Sequence, residues 1–240
     1  MKLMRFIKRY YSKILSNKHS ESTENFKRSY SQCGEDLIID YIFKLRGIKR
    51  PSYLDVGAND PYFLNNTALF YNSGSVGVNI DANIACINKF NVLRKNDINL
   101  NIGIGEKEDV KPFFILNDPT LSTFSELECQ NYIKTGRYHV IETKMVAIST
   151  LDSIILDHFN GKFPELLTID VEGLDFEIIK SINFNASYPL VICVEAAEYS
   201  PIGAGRRRDR MIDYLVNQGY YEYANTNLNA IMVKRDFWFI

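Results

Sequence analysis

Residues 53–61 read "YLDVGANDP", and the fold turns on how that stretch is read. A short apolar run spells a buried strand, and directly behind it come an acid, a glycine, an asparagine and a proline. Two readings compete: a loop that holds a ligand at a strand's end, and an ordinary strand-to-helix turn. Gly57 lets the backbone turn tightly and lets a ligand approach where a Cβ would block it. The next strand, "SVGVNID" (75–81), ends on Asp81. An acid at that point is placed to accept hydrogen bonds from both hydroxyls of a ribose. The G-x-G-x-x-G fingerprint is missing, because "DVGANDP" has one glycine and its Asp60 would repel a pyrophosphate. That counts against NAD and FAD. It suits a cofactor with an adenosine and a positive centre such as a sulfonium, since carboxylates favour a cation.

Outward from this stretch, short β-branched runs alternate with longer amphipathic ones. "EDLIIDYIFKLRG" (35–47) reads as a helix with Leu37, Ile38, Tyr41, Ile42 and Leu45 on one face and Gly47 ending it. Ser31 and Glu35 before it stand near a capping arrangement. "FLNNTALFYNSG" (63–74) and "NIACINKFNVLRKN" (83–96) read as helices on either side of the second strand, and "INLNIGIG" (98–105) as the third. The rhythm then breaks: "KPFFILND" (111–118) and "YHVIETKMVAI" (138–148) are strands of another kind, divided by an irregular insertion. Alternation resumes with a helix at 149–159, a strand in "ELLTIDVEG" (165–173), a helix at 174–184, a strand in "PLVICVEAA" (189–197) and a helix at 207–219. "YYEYANT" and "NAIMVKR" close the chain as a hairpin. Near-continuous apolar strands, each followed by a helix, predict a doubly wound α/β fold: a mostly parallel sheet covered on both faces, with an antiparallel C-terminal hairpin strand.

Composition sets the limits of function. At 240 residues the chain suffices for one substantial core. Lys plus Arg (28) nearly matches Asp plus Glu (29), so there is no net field for nucleic acid. Cys33, Cys86, Cys129 and Cys193 form no C-x-x-C pair and read as reduced thiols without a zinc site. No apolar stretch reaches the roughly 20 residues needed to span a bilayer, and the N-terminus lacks a secretory h-region, so the cytoplasm is the expected location. Residues 1–29 read as a basic leader helix and a polar linker, and 30–240 as the domain. In the leader, Leu3, Ile7, Tyr10 and Ile14 recur at helical spacing among five basic residues. That pattern suits peripheral contact with an anionic membrane, or a helix docked on its own domain.

Acids recur at the strand ends: Asp55, Asp81, Asp170 with Glu172, and Glu195. In open α/β sheets ligands bind at this edge. "YSQCGEDLI", "LDVGANDP", "NNT", "NIDAN", "LSTFS", "STLDSIIL" and "LTIDVEGLDFEII" follow in that order. In this the chain resembles the FkbM family of S-adenosylmethionine-dependent methyltransferases, over roughly residues 29 to 198. The resemblance implies a class I methyltransferase (Rossmann-like) fold whose seven-stranded sheet has one antiparallel strand. It also implies O-methylation of a sugar, glycan, polyketide or similar metabolite. By position, Asp55, Gly57, Ala58 and Asn59 match the loop under the methionine and ribose of the cofactor. Asp81 matches the ribose acid, where the family more often has glutamate. Asn101 or backbone groups are left for the adenine, and Gln32 and Glu35 belong to a segment that folds over the cofactor.

Asp170 and Glu172 flank Val171 on a segment read as extended, which would turn both acids to one side. They are the candidates for a base or an orienter of the substrate hydroxyl; capping of the next helix is the competing reading. Methyl transfer from a sulfonium is an in-line displacement, so positioning does much of the work, and an alcohol must still lose its proton. His19, His139 and His158 read as surface residues. Asp170, Glu172 and Glu195 have the oxygen ligands that suit magnesium, though nothing in their spacing demands a metal. Ser122 and Thr123 in the insertion offer hydroxyls to a polar substrate. Arg206, Arg207, Arg208 and Arg210 enter at the functional edge and oppose the dipole of the helix they start, which suggests an anionic acceptor such as a nucleotide sugar. Two rival functions remain at this level: a nucleoside-binding protein without chemistry, and a dinucleotide-dependent oxidoreductase.

Overall fold

A computed structural model describes residues 27–197, 205 and 208–239. The expected leader helix, most of the linker, Arg206 and Arg207 lie outside the described residues. Helix α1 (Glu35–Leu45) precedes strand β1 (Tyr53–Val56), and then come α2 (Ala68–Asn72), β2 (Gly77–Ile80), α3 (Ile84–Leu93) and β3 (Ile98–Leu100). Three strands of a second kind follow, β4 (Gly103–Ile104), β5 (Asp109–Leu116) and β6 (Val140–Ser149), with a 3₁₀ turn (Pro119–Leu121) and α4 (Glu126–Lys134) between the last two. The chain continues through α5 (Leu151–Phe159), β7 (Leu166–Ile169), α6 (Asp175–Lys180), β8 (Val191–Glu195) and α7 (Asp209–Asn217). It closes with β9 (Tyr220–Asn225), β10 (Asn229–Lys234) and the short α8 (Arg235–Trp238).

The main sheet has seven strands in the order β3-β2-β1-β7-β8-β10-β9. Pairings are parallel from β3 through β8, and β10 alone runs against both its neighbours. This is the mostly parallel, doubly wound sheet that the alternation predicted, with the seven strands and the one antiparallel member that the resemblance implied. Its strand order reverses at β1, with β2 on one side and β7 on the other, so a crevice opens beyond the carboxyl ends of β1 and β7. The inner strands β2, β1, β7, β8 and β10 are buried on both faces. Leu54, Val56, Leu167 and Ile169 point into one core, while Tyr53, Leu166, Val191 and Cys193 point into the other. That two-sided burial explains their unbroken apolar spelling. A smaller sheet, β4-β6-β5, stands over the crevice, and its inner face packs Phe113, Ile115 and Val146 on Ala82.

Three local expectations need correction. The third strand is divided: Ile98–Leu100 pairs with β2, whereas Gly103–Ile104 pairs with β6 in the second sheet. Between them Asn101 donates its side-chain amide to the carbonyls of Asp81 and Ala82, both at 2.9 Å, and so takes the place of a ladder. The helix predicted over 63–74 shrinks to five residues. Leu64 sits at φ +53° and the Asn65 Oδ1 accepts the Thr67 N–H, a local turn that competes with helix. Finally, α1 is rotated relative to the face expected. It buries Glu35, Asp36, Ile39, Ile42 and Phe43, and leaves Tyr41 and Leu45 about half exposed, at 51% and 55%. Two acids in its first turn are drawn inward by hydrogen bonds, and the helix turns with them. Its N-cap is Gly34, and the Ser31 hydroxyl meets Asp36 rather than Glu35.

Among the described residues no helix is long and apolar enough to cross a membrane. All four cysteines are free thiols, three of them buried.

Candidate active site

The tip of β1 is tied to the end of β2 by two successive amides: the N–H groups of Gly57 and Ala58 both donate to the Ile80 carbonyl, at 2.9 and 3.0 Å. Gly57 adopts φ +82°, and a Cβ on it would lie 1.7 Å from the Asp170 carbonyl oxygen. The tips of β1 and β7 therefore close on each other only because residue 57 has no side chain. Replacing Gly57 by alanine is expected to cost about 2–4 kcal/mol of stability, combining left-handed strain with an overlap against backbone that has no room to move. Thermal or urea unfolding checks this. A change below 1 kcal/mol would mean that the two tips separate easily.

Asn59, also left-handed at φ +52°, donates its N–H to Asp81 Oδ2 at 2.8 Å. Asn83 donates its N–H to Asp81 Oδ1 at 2.7 Å. Asp81 thus faces the crevice with one backbone hydrogen bond on each oxygen and further lone pairs free, and burial pushes its carboxyl up to about 6. Asp55 is buried and accepts from the Thr67 hydroxyl at 2.8 Å and from the Asn65 amide at 3.2 Å. Asp60 is engaged locally and is not among the residues lining the two clefts of this edge. It accepts the N–H groups of Tyr62 and Phe63 and pairs with Lys89.

Two clefts open on this edge. The first, about 570 Å³ counted to its mouth, is lined by Asp81, Asn59 and Ser122 together with the apolar side chains of Ile80, Ile102, Phe113 and Phe124. The second, about 1340 Å³ on the same measure, is polar, with Asn65, Asn66, Asp118, Thr168, Tyr138 and Asn229 in its walls. They meet at Gly57, Asn59, Thr120, Asp170 and Glu172.

Asp170 follows β7 directly and opens to the cleft. Glu172 does not lie on an extended segment as expected: it is left-handed at φ +54°, followed by Gly173 at φ +105°. Both acids still reach the junction, because the loop and not the strand period directs them. The insertion grips Glu172 twice. The Thr123 hydroxyl donates to its carbonyl at 2.9 Å, and the buried Tyr132 hydroxyl makes a short hydrogen bond to its carboxylate. Asp175 accepts the N–H groups of Val171 and Gly173 and holds the loop from below.

Burial raises the carboxyls of Asp170, Glu172, Asp175 and Glu195, and mutual repulsion adds to it for Asp170, Glu172 and Glu195. Asp170 is hemmed in by protein yet exposed to the cleft's solvent, which screens it, so its rise is smaller than full enclosure would produce. Asp170, Asp175 and Glu195 bring carboxylate oxygens within 4.8 Å of one another, a different trio from the one the sequence suggested for a cation. Arg208 supplies positive charge there: its Nη1 lies 2.9 Å from both Asp175 Oδ2 and Glu195 Oε2, the second as an ion pair without hydrogen-bond geometry.

The remaining candidates divide. Gly57, Ala58, Asn59, Asp55 and Gln32 line one or both clefts. Asn101 braces the β2 end and is not among the cleft walls. Glu35 is fully buried, and its carboxylate takes the Thr226 hydroxyl at 2.7 Å, the Asn229 amide at 3.0 Å and the Cys33 N–H at 2.8 Å. It ties the segment bearing Gln32 to the final hairpin as a wall of the second cleft. Ser122 lines the first cleft, whereas Thr123 is buried with its hydroxyl engaged by Glu172. Arg210 lies over the Phe176 ring. Sequence reasoning passed over Asn65, Asn66 and Tyr132. The first two stood in "NNT", a signal present but given no role; Tyr132 sits in the irregular insertion and had none.

The adenosyl part of S-adenosylmethionine fits the donor set of the first cleft, apolar side chains for a purine together with a carboxylate for a diol. The acids at the junction suit a sulfonium. No curated protein matches the chain. The family model of the methyltransferase FkbM domain matches residues 55–221, from the acid at the tip of β1 to the first strand of the final hairpin. That span takes in the crevice and most of the chain, so this protein belongs to the FkbM methyltransferase domain family.

Proposed function

We propose that the protein is an S-adenosylmethionine-dependent O-methyltransferase acting on a hydroxyl of an uncharged, sugar-like acceptor. The observation that carries this reading is the meeting of an apolar-and-acid cleft with a large polar one at Gly57 and Asp170. One pocket suits an adenosine; the other is lined with amides and hydroxyls of the kind that hydrogen-bond sugar hydroxyls. Its described walls hold Asp55, Asp118, Asp170, Glu172 and Glu195 and no lysine, arginine or histidine. Arg208 has its charge engaged by Asp175 and Glu195, and so offers little to an anion. The described walls favour a neutral acceptor over a nucleotide sugar; Arg206 and Arg207, on which the anionic expectation rested in part, lie outside the described residues.

The cofactor supplies a methyl group on a sulfonium. Asp81 would accept the ribose hydroxyls, and Ile80, Ile102, Phe113 and Phe124 would enclose the purine. Asp170 takes the acceptor's proton, and its upward displacement brings it nearer the operating pH, where a general base is most effective. Glu172, fixed by Tyr132, orients the hydroxyl.

Calorimetry with S-adenosylmethionine and with NADH tests the first part. Binding of the former alone is expected, and binding of NADH alone would overturn the reading in favour of a dinucleotide enzyme. Transfer of labelled methyl to a panel of neutral glycosides and nucleotide sugars tests the second. Label on the nucleotide sugars only would replace the neutral acceptor with an anionic one.

A further inference from the structure

Arg94, at the C-terminal end of α3, is fully buried and touches neither cleft. Its guanidinium has each donor engaged. Nε donates to Asp97 Oδ2 at 3.0 Å; Nη1 donates to Asn65 Oδ1 at 3.1 Å and, at 3.5 Å, to the Pro61 carbonyl; Nη2 donates to the Tyr53 hydroxyl at 2.7 Å and to Thr67 Oγ1 at 2.9 Å. The rings of Tyr53, Tyr71 and Phe90 surround it at 5.3, 5.0 and 5.2 Å. Asp97, its ion-pair partner, is held in turn by the Tyr53 hydroxyl, the Gly77 N–H and the Asn79 amide.

Two of these contacts run on to the candidate cofactor loop. Thr67, accepting from Arg94, donates a hydrogen bond from its hydroxyl to Asp55 Oδ2. Asn65, with its oxygen turned to the guanidinium, must present its amide nitrogen to Asp55 and to the Ala58 carbonyl, each at 3.2 Å. Flipping that amide would put donor against donor. A buried ion pair contributes little net stability compared with an apolar side chain of the same volume, because desolvation offsets the attraction. What an apolar residue lacks here is five directed donors reaching three segments at once, β1, the 61–67 stretch and Asp97.

We propose that Arg94 is a positioning residue for the cofactor: its guanidinium, acting through Asn65 and Thr67, holds residues 57–67 and Asp55 in the shape that receives the adenosyl group. The proposal rests on the S-adenosylmethionine reading for its ligand, but its structural half stands apart from that reading. Asp55 agrees with it, since burial raises its carboxyl and the Arg94 charge is the largest effect pulling it back down.

The test uses Arg94→Met, Arg94→Lys and Thr67→Val, with Leu215→Ala as a destabilised control whose buried side chain lines neither cleft. S-adenosylhomocysteine affinity is measured by calorimetry well below each melting point, and amide hydrogen exchange is followed without ligand. Arg94→Met should weaken binding by about 10- to 100-fold, the size of a lost set of charged hydrogen bonds. Arg94→Lys and Thr67→Val should fall between it and the wild type, and the Arg94→Met/Thr67→Val pair should lose less than the product of the two. Leu215→Ala should stay within about twofold. Exchange should accelerate over 57–67 in Arg94→Met and not across the sheet. Binding unchanged in Arg94→Lys and Thr67→Val, or exchange rising evenly along the chain, would overturn the proposal, even if Arg94→Met itself fails to fold. If the wild type binds no S-adenosylhomocysteine, the cofactor reading fails, and the exchange pattern still decides whether Arg94 holds the loop.

Discussion

Asp170→Asn is expected to lower kcat by about 10²- to 10⁴-fold, the usual worth of a positioned general base. Cofactor affinity should change by no more than about fivefold, as one solvent-screened charge warrants. The two effects separate because Asp170 stands at the junction of the clefts, exposed to solvent there, where an acceptor hydroxyl would meet the methyl group. Asparagine keeps its shape and cannot take a proton. The pH profile adds a second check. Burial and the neighbouring Asp175 carboxylate raise the Asp170 carboxyl, and only its deprotonated form accepts a proton. The rate should therefore climb with pH along a limb displaced upward from the ordinary carboxylate range, and that limb should vanish in Asp170→Asn. Single-turnover methyl transfer across pH 5 to 9 would show it. A variant within threefold of the wild type would move the base elsewhere, with Glu172 the next group to replace.

Asp81→Asn is expected to weaken S-adenosylhomocysteine binding by about 10- to 100-fold. Both carboxylate oxygens accept backbone N–H groups, from Asn59 and Asn83, so an amide nitrogen must oppose one of them as well as lose a ribose acceptor. Burial pushes this carboxyl up to about 6. Below that pH the side chain is protonated, and affinity should fall by up to about tenfold per unit; above it, affinity should level off. Stability runs the other way. The folded state holds the proton more tightly than the unfolded chain, so Asp81 contributes stability below the ordinary aspartate value, and this is lost as pH rises through about 6. In Asp81→Asn the affinity trend should disappear and the stability trend should shrink by the Asp81 share, since Asp170, Glu172, Asp175 and Glu195 are raised as well. Calorimetry and melting curves between pH 4.5 and 8 measure the pair, and a wild-type affinity flat over that range would show that Asp81 does not meet the ligand.

The Arg94 network and the two carboxylates share a physical design: a rigid backbone edge whose acids are held by donors from elsewhere in the chain. Glu172 takes its hydrogen bonds from the insertion, and Glu35 closes the opposite wall by bonding Thr226 and Asn229. Each such contact joins segments distant in sequence. Insertion and crevice are therefore coupled, and a change in α4 should be felt at Glu172.

From the sequence by itself came the doubly wound sheet, the reversed final strand, the lone-glycine bend and the row of acids at the strand ends. These rest on periodicity and turn chemistry among residues close along the chain, which dictate local backbone and face. The same reading misjudged the buried face of α1, the length of α2 and the continuity of the third strand, because hydrogen bonds from Asp36, Asn65 and Asn101 overrode the apolar pattern. Only the tertiary structure decided that Asp170 opens to the cleft while Glu172 is turned toward Tyr132, that Arg208 is engaged by Asp175 and Glu195, and that Arg94 reaches Asn65 and Thr67. Those partners lie on different elements, and which side chains meet depends on strand order and rotamer, which no local pattern encodes.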